Sequence, residues 1–468
     1  MRHSPMFLSA LSVVGLFGCP TNNPVECRDQ TSCDLASGGT CVTASSGNQW
    51  CAYPDTSCPS GMRYSDQSVG DGLSGTCVPE GGDIDAAVTD APIDASPIDA
   101  PIDAPIVGPI VTNNQLADLV IGQPNFVSEG DRGYTGQSVL GADVAASAAG
   151  VWIADATKGR VLGFSPLPTT GDPTAGGIVG RPAVTDNTAI GTASATNLGT
   201  FAYAVAYGGN VLAVADGDRN RVLLWNPAPT TAGEAADIVV GQPNMTSSTS
   251  GNGASQLNLP MSVWTDGTRL IVGDRANYRV LIWNTLPTAN GQVADVVLGQ
   301  TNFGMSVMQG SPSASNMLMP TAVLYDGARL YVADLMFNRV LVWDGLPAVN
   351  NEPADFVLGQ ANLTSAASVA ASPTTLNQPT GLARYGNALL VADSLNDRIV
   401  VYQPLPTTSG SAGSLVLGQA DLNTAAIAGP NPPTQQGFDS PEGLSVTGNQ
   451  LYVADDGNRR VVRFTLSN

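Results

Sequence analysis

Short apolar runs, each bounded by polar or turn-forming residues, follow one another from about residue 117 to the C-terminus. In one stretch they occupy residues 381–384, 388–392, 398–402 and 414–417. Val, Ile, Leu and aromatic residues fill these runs, and none reaches the length or the period of a helix. The pattern therefore predicts β-strands. Dipeptides such as Asp266-Gly267 and Gly448-Asn449, between the first two runs of a group, predict tight hairpin turns.

This four-strand pattern occurs six times, and an aspartate followed five positions later by an arginine marks every copy. The six pairs are Asp155/Arg160, Asp216/Arg221, Asp274/Arg279, Asp334/Arg339, Asp393/Arg398 and Asp455/Arg460. Successive pairs lie 58 to 62 residues apart. A period of this length with four short strands per unit predicts an all-β fold, a six-bladed β-propeller.

Two further positions recur in the repeat. An aromatic residue stands nine positions after each aspartate, at Phe164, Trp225, Trp283, Trp343, Tyr402 and Phe464. A glycine stands twenty-five positions after the aspartate, and the residue that follows it is Arg181, Gln242, Gln300, Gln360 or Gln419. Because these positions recur around the ring, we favour packing between blades over sugar stacking for the aromatics. For the glutamines we favour structural hydrogen bonds over ligand binding.

The phase of the repeat predicts how the propeller closes. The sixth copy lacks its fourth strand, whereas an isolated copy of that strand, residues 117–123, precedes the first repeat. We therefore expect residues 117–123 to complete the last blade and to remove two open sheet edges. The copies differ in length only after the fourth strand, for example in residues 246–258 and 364–377. These loops share a face with the Asp-to-Arg turns, and that face is where we expect binding.

Parts of the repeat resemble a known family. The segments VADSLNDRI (391–399) and VADDGNRRV (453–461) are similar to NHL repeats, and PTGL (379–382) and PEGL (441–444) resemble the first strand of that family. The resemblance extends over all six copies and implies an NHL-type propeller. It is weakest in the first copy, where Lys158-Gly159 stands in place of asparagine.

The N-terminal region has a different character. Residues 1–18 combine a positive start with a short apolar run, which is typical of a secretory signal. Leu16-Phe17-Gly18-Cys19 resembles the lipobox of bacterial lipoproteins, which implies that Cys19 is acylated. Secretion with Cys19 left free is the alternative.

Three segments follow the signal. Residues 19–79 carry six further cysteines and predict a disulfide-rich module, with all fifteen pairings open. These cysteines are Cys27, Cys33, Cys41, Cys51, Cys58 and Cys77. A zinc site competes, although the paired C-x-x-C spacing is missing. Residues 80–109 are low in complexity, rich in Asp, Pro, Ala and Ile, and predict an extended linker. Residues 110–468 form the propeller.

Composition excludes several kinds of chemistry. The net charge is −20 and Lys158 is the only lysine, so nucleic acid and anionic lipid headgroups are poor partners. The only histidine is His3, inside the predicted signal, and every cysteine lies at or before Cys77. The repeat region therefore has no imidazole base, no catalytic thiol and no thiolate zinc site.

Candidate site residues are those that break the repeat. The Asp/Arg pairs could form a ring of charges for a ligand, but their recurrence favours a structural role. At the top of the first strand, near the expected channel, stand the candidate ligand contacts Ser262, Thr321, Thr380 and Glu442. We predict no cofactor. Calcium stays open through oxygen ligands such as Glu129, Asp131, Asp143 and Asp218 in the variable loops.

These observations favour a non-catalytic, monomeric recognition or scaffold protein. It would be lipid-anchored in the bacterial cell envelope, at the outer membrane on a side left open, and would bind a protein, peptide or glycan through its looped face. The alternative is a metal-dependent hydrolase that resembles the lactonases built on six-bladed propellers, which use carboxylate and amide ligands. A purely architectural envelope protein is a third interpretation.

Overall fold

The computed structural model describes residues 40–43, 49–58, 60, 62–65, 76–78, 108–368, 370–425 and 433–467. The chain divides into two compact units, Met1–Ala95 and Ser96–Asn468. Among the described residues no helix is both long and apolar enough to cross a membrane.

The first unit contains a small antiparallel sheet. Its strands are Thr40–Thr43, Gln49–Pro54 and Met62–Tyr64, paired in chain order. A disulfide joins Cys58 to Cys77, and Cys51 is also disulfide-bonded. Cys19, Cys27 and Cys33 lie outside the described residues.

The second unit consists of six four-stranded antiparallel sheets, numbered here blades 1 to 6 in chain order. Blade 1 contains Gly141–Ser147, Gly150–Asp155, Arg160–Phe164 and Gly177–Val179, and blade 2 contains Ala202–Gly208, Val211–Asp216, Arg221–Trp225 and Ile238–Val240. Blade 3 contains Pro260–Thr265, Leu270–Asp274, Arg279–Trp283 and Val296–Leu298, and blade 4 contains Pro320–Tyr325, Leu330–Asp334, Arg339–Trp343 and Phe356–Leu358. Blade 5 contains Pro379–Tyr385, Ala388–Asp393, Arg398–Tyr402 and Leu415–Leu417, and blade 6 contains Pro441–Thr447, Gln450–Asp455, Arg460–Thr465 and Leu119–Ile121.

Short 3-10 turns join the second and third strands of the first five blades. They are Ala156–Lys158, Gly217–Arg219, Arg275–Asn277, Leu335–Phe337 and Ser394–Asn396. In blade 5 the first strand begins two residues before the predicted start at residue 381, because Pro379 already pairs with Asp393.

The blades are arranged as a closed ring. The first strand of each blade contacts the first strands of both neighbouring blades, and blade 6 contacts blade 1 in the same way. The first strands therefore line the central channel, and the fourth strands lie at the outer edge. The six-bladed propeller predicted from the repeat is confirmed.

The predicted closure of the ring is also confirmed. In blade 6 the strand Leu119–Ile121 pairs antiparallel with Arg460–Thr465, with Val461 opposite Ile121 and Val462 opposite Val120. The strand is shorter than the expected 117–123 segment. A strand from the start of the domain thus completes the last blade, so the ring has no open sheet edge at its seam.

The core is divided among the gaps between blades. Six hydrophobic clusters are present, and each fills one of the six interfaces between neighbouring blades. The recurring aromatic residue belongs to these clusters in every blade, as Phe164, Trp225, Trp283, Trp343, Tyr402 and Phe464. These rings are at most 3% exposed, which agrees with a packing role between blades.

Candidate functional site

Each Asp/Arg pair lies at the turn between the second and third strands of its blade. The two residues oppose each other in the strand register, as Asp274 and Arg279 do in blade 3. In all six pairs the arginine Nε donates to the aspartate Oδ2 over 2.6–2.9 Å, and both side chains are at most 1% exposed. The pairs are therefore part of the protein interior and present no ring of charges to a ligand.

The remaining N–H groups of each guanidinium bond the two loops that flank its blade. In blade 5 the Arg398 Nη2 donates to the carbonyls of Ser372 and Thr375 in the incoming loop, and Nη1 donates to the Leu422 carbonyl in the outgoing loop. The Asp393 Oδ1 accepts the Asn377 N–H from the incoming loop. Equivalent bonds are made by Arg160, Arg221, Arg279, Arg339 and Arg460. Each pair thus fixes a hairpin and two loops together.

The recurring glutamine adds a further bond at the same place. In blade 2 the Gln242 Nε2 donates to the Asn220 carbonyl, just before the paired arginine. The same bond is made by Gln123, Gln300, Gln360 and Gln419. In blade 1 the exception Arg181 bonds the Lys158 carbonyl instead. These side chains support the turn and are not directed at a ligand.

The loop acids do not assemble into a metal site. Asp131 forms an ion pair with Lys158 at 3.0 Å, and Asp218 accepts from the backbone and hydroxyl of Thr200. Within the described ranges no three His, Cys, Asp or Glu residues lie together so as to hold a metal ion. Calcium binding through Glu129, Asp131, Asp143 and Asp218 therefore stays a prediction without a defined ligand set.

The strand register revises the set of channel candidates. Pro260, Pro320, Pro379 and Pro441 each oppose the aspartate of their blade. Thr321, Thr380 and Glu442 directly follow that proline, but in blade 3 the equivalent residue is Met261, and Ser262 is one position further. A bulge follows the proline in all four of these blades, so the offset of Ser262 does not come from the bulge but from Met261, which stands directly after Pro260. Grouping Ser262 with the other three was therefore out of register by one residue.

The hydroxyl groups of Thr321 and Thr380 form hydrogen bonds with the backbone of the propeller. The Thr321 hydroxyl donates to the Pro379 carbonyl of the next blade at 3.0 Å, and the Thr380 hydroxyl donates to the Pro441 carbonyl at the same distance. They join the first strands of blades 4, 5 and 6. Of the four candidates, Glu442 is the one that bonds a first strand beyond the neighbouring blade.

Glu442 is joined to a residue that the sequence reasoning missed. The Tyr203 hydroxyl, from the first strand of blade 2, donates to Glu442 Oε1 in blade 6 over 2.6 Å. Blade 1 lies between these blades, and Ala142 stands at the equivalent position in its first strand. The hydrogen bond therefore passes over a small side chain on the channel side of the ring.

Two further carboxyl groups, Asp143 and Asp456, lie close to this hydrogen bond. Burial and the nearby charges of Asp456 and Asp143 raise the pKa of Glu442 to about 8. Burial raises the pKa of Asp143 to about 7, although its carboxylate accepts the N–H groups of Val144 and Val205. The pKa of Asp456 is raised to about 6 by burial and by neighbouring carboxylates. We call Asp143, Tyr203, Glu442 and Asp456 the channel-mouth group.

Gly443, the residue after Glu442, lies directly beside the Asp143 carboxylate. A Cβ atom at position 443 would lie 2.0 Å from the Asp143 Oδ1, a distance that real contacts do not show. Gly443 therefore gives the Asp143 carboxylate room against the first strand of blade 6. On the other side of the channel, Arg275 lies in the turn of blade 3, and its charge lowers the pKa of Tyr203, against the larger effect of burial. The channel mouth thus combines carboxylates with one guanidinium.

Comparison with known proteins adds little. No protein-family model matches the chain, and no curated protein is similar to it in sequence. A protein of unknown function from Bacteroides thetaiotaomicron shares 12% identity over 77% of this chain and 75% of its own, with a TM-score of 0.40. An auxiliary nutrient binding protein from the same organism shares 10% identity over 78% of this chain and 76% of its own, with a TM-score of 0.43. The glutaminyl cyclase of Myxococcus xanthus shares 9% sequence identity over 59% of this chain and 95% of its own, with a TM-score of 0.34. At these values the similarities carry no functional argument.

A second group of carboxylates lies between blades 5 and 6. Asp397 precedes the paired arginine in a left-handed conformation with φ 51°, and its Oδ1 accepts the Ser440 N–H at 2.8 Å. In blade 4 the equivalent Asn338 makes the same bond to Gln378. Burial and the nearby Asp439 raise the pKa of Asp397 to about 6. A carboxylate thus occupies a position where an amide serves equally well.

We predict that Asp397→Asn stabilises the protein at neutral pH. Because the folded-state pKa is raised from 3.8 to about 6, the folded protein binds the proton more tightly. The stability linked to this proton is present below pH 3.8 and is lost as the pH rises through about 6. The substitution should therefore raise the free energy of unfolding by about 1–3 kcal/mol at about pH 8, with little change at about pH 4, in urea titrations.

The matched control is Asn338→Asp, which introduces the same carboxylate in blade 4. It should lower stability at about pH 8 and have a smaller effect at about pH 4. Equal stability of wild type and Asp397→Asn at both pH values would contradict this account of the group.

Proposed function

We propose that this chain is a lipid-anchored recognition protein of the bacterial cell envelope. It binds a protein, peptide or glycan through the propeller face that carries the Asp-to-Arg turns and the loops between blades, which we call the looped face. The proposal involves no catalysis. It depends mainly on where the exposed apolar side chains are found.

Large apolar side chains are concentrated on the looped face. In the described part of the chain, the exposed ones on this face are Val127, Phe201, Met305, Val307, Met308, Met336 and Leu395, and those elsewhere are Leu116, Val293 and Val349. Exposed apolar groups on loops are typical of surfaces that bind other molecules. Three of them share the loop between blades 3 and 4, where methionine can adapt to a partner surface.

The scaffold beneath this face is suited to binding. The buried ion pairs hold both ends of the loops between blades, so less conformational freedom is lost when a partner docks. The loops themselves differ in length and sequence from blade to blade. A fixed frame with variable loops supports recognition of one particular partner.

The proposed location depends on the N-terminal region. The signal-like residues 1–18, the lipobox-like motif at Cys19 and the linker 80–109 together support a propeller held away from a membrane. We expect wild-type protein to incorporate labelled palmitate and to fractionate with membranes when expressed in a Gram-negative host. Cys19→Ser should abolish the label and release the protein, whereas Cys27→Ser should keep both. Labelling that survives Cys19→Ser would contradict the anchor.

The looped face is tested by a triple substitution. Met305→Ser, Val307→Ser and Met308→Ser together remove the apolar group of one loop, and we expect them to reduce crosslinking to the envelope partner at least about tenfold, since apolar anchors contribute about 1–2 kcal/mol each or more. The measurement is quantitative crosslinking and pull-down from intact cells that express the protein.

The control for this experiment is the pair Val293→Ser and Val349→Ser. These residues are also exposed apolar side chains, at 57% and 60%, but lie in loops at the opposite end of the strands. The control should leave the crosslinked species unchanged. Equal loss in both variants, or no loss in the triple variant, would count against binding through the looped face.

A further inference from the structure

Besides the Ser262 hydroxyl, the channel mouth contains two buried polar atoms of opposite character that lack a partner among the described residues. Glu442 Oε2 accepts no hydrogen bond from any described residue, although Tyr203 donates to the other oxygen of the same carboxylate. The Arg275 Nε also has no partner among the described residues, and its Nη2 meets only the Met319 sulfur, at 3.4 Å. Buried polar atoms are nearly always hydrogen-bonded in folded proteins. Both atoms therefore leave hydrogen-bonding capacity at the channel mouth that a ligand can use.

The topology places these two atoms on opposite sides of the channel. Glu442 belongs to the first strand of blade 6, and Arg275 belongs to the turn of blade 3, so two blades separate them in either direction around the ring. Tyr203, in blade 2, lies between them in the order of the ring, and its hydroxyl bonds Glu442. An acceptor and a cationic donor thus lie at the same end of the channel on opposite sides of it.

We propose that the channel mouth on the looped face binds a small zwitterion, an ammonium carboxylate of the kind presented by a free α-amino acid or a short peptide. The ammonium group is held by the unpartnered Glu442 oxygen, with Asp143 and Asp456 adding negative charge. The carboxylate of the ligand is held by Arg275. This inference deepens the proposed function by naming a ligand class at the centre of the same face.

Both charges of the ligand are required by the chemistry of the site. An anion alone would be repelled by those of Asp143, Glu442 and Asp456 that are ionised, and it would have no cation to offer the unpartnered Glu442 oxygen. A simple amine would satisfy Glu442 but would leave the Arg275 Nε without an acceptor, which is unfavourable for a buried donor. A bare metal ion would need several oxygen ligands, and the described residues include no group of three or more His, Cys, Asp or Glu side chains placed to hold one. A zwitterion satisfies both unpartnered atoms at once.

The test is isothermal titration of the full-length protein with five probes. L-alanine and triglycine carry both charges, propylamine carries the ammonium, propionate carries the carboxylate, and calcium chloride supplies a bare cation. We expect at least one zwitterion to bind, propylamine to bind more weakly than that zwitterion, and propionate and calcium to give no heat of binding.

Two variants separate the roles of the two sides. Glu442→Gln keeps an acceptor for Tyr203 but removes the carboxyl group that can ionise against a bound ammonium, so it should weaken binding of both the zwitterion and propylamine about tenfold or more, equivalent to about 1.4 kcal/mol. Arg275→Met should weaken the binding of the zwitterion by a similar factor and leave the binding of propylamine unchanged. Arg269→Met, which removes a partly exposed arginine at the opposite end of the blade 3 strands, is the matched control and should change nothing. If Glu442→Gln fails to fold, as judged by circular dichroism, Asp456→Asn takes its place.

Several results would overturn the inference. They are no binding of either zwitterion, binding that none of the channel-mouth variants affects, and calcium binding that Glu442→Gln abolishes while zwitterions fail to bind. None of these results depends on the crosslinking experiment with the loop at Met305. If the zwitterion does not bind, the proposed recognition function is still tested by crosslinking. If the crosslinking experiment fails, the zwitterion site is still tested by titration.

Discussion

The buried ion pair between the second and third strands is the interaction on which the rest of this propeller depends. A buried charge pair is stable only if the remaining hydrogen-bonding groups of both partners are also satisfied. Here the carbonyl oxygens of two loops satisfy the guanidinium, and a backbone N–H satisfies the carboxylate, as Arg339 and Asp334 show in blade 4. The pair therefore requires the loops to approach, and the loops in turn keep water away from the pair.

This arrangement separates what is constant on the looped face from what varies. The ends of each loop are held by the same bonds in every blade, so the middle of the loop is free to change in length and sequence. The first strands are free to differ in the same way, because the ring is held together by apolar clusters between blades. That freedom allows Tyr203 and Glu442 to replace smaller residues without disturbing their blades.

Much of the fold could be predicted from the sequence, because the repeat provides six copies of the same signal. The spacing of Asp and Arg, and the isolated fourth strand before the first copy, were sufficient for the blade number and the closure. The loop contacts of the arginines could not be predicted, since bonds to backbone carbonyls leave no side-chain pattern. Tyr203 was missed because its partner Glu442 lies 239 residues away. Ser262 was misplaced because Met261, and not Ser262, directly follows the proline that opposes the aspartate in blade 3, which an alignment on that proline shows.

The central claim is that each arginine holds two loops as well as its aspartate, and Arg339→Lys tests it directly. Lysine keeps a positive charge beside Asp334 but lacks the planar fork that reaches both loops. Hydrogen exchange measured by mass spectrometry should become faster in residues 311–319 and 361–367 and stay unchanged in residues 344–355 at the other end of the strands. Unchanged exchange in both loops, or faster exchange confined to residues 334–339, would contradict the account.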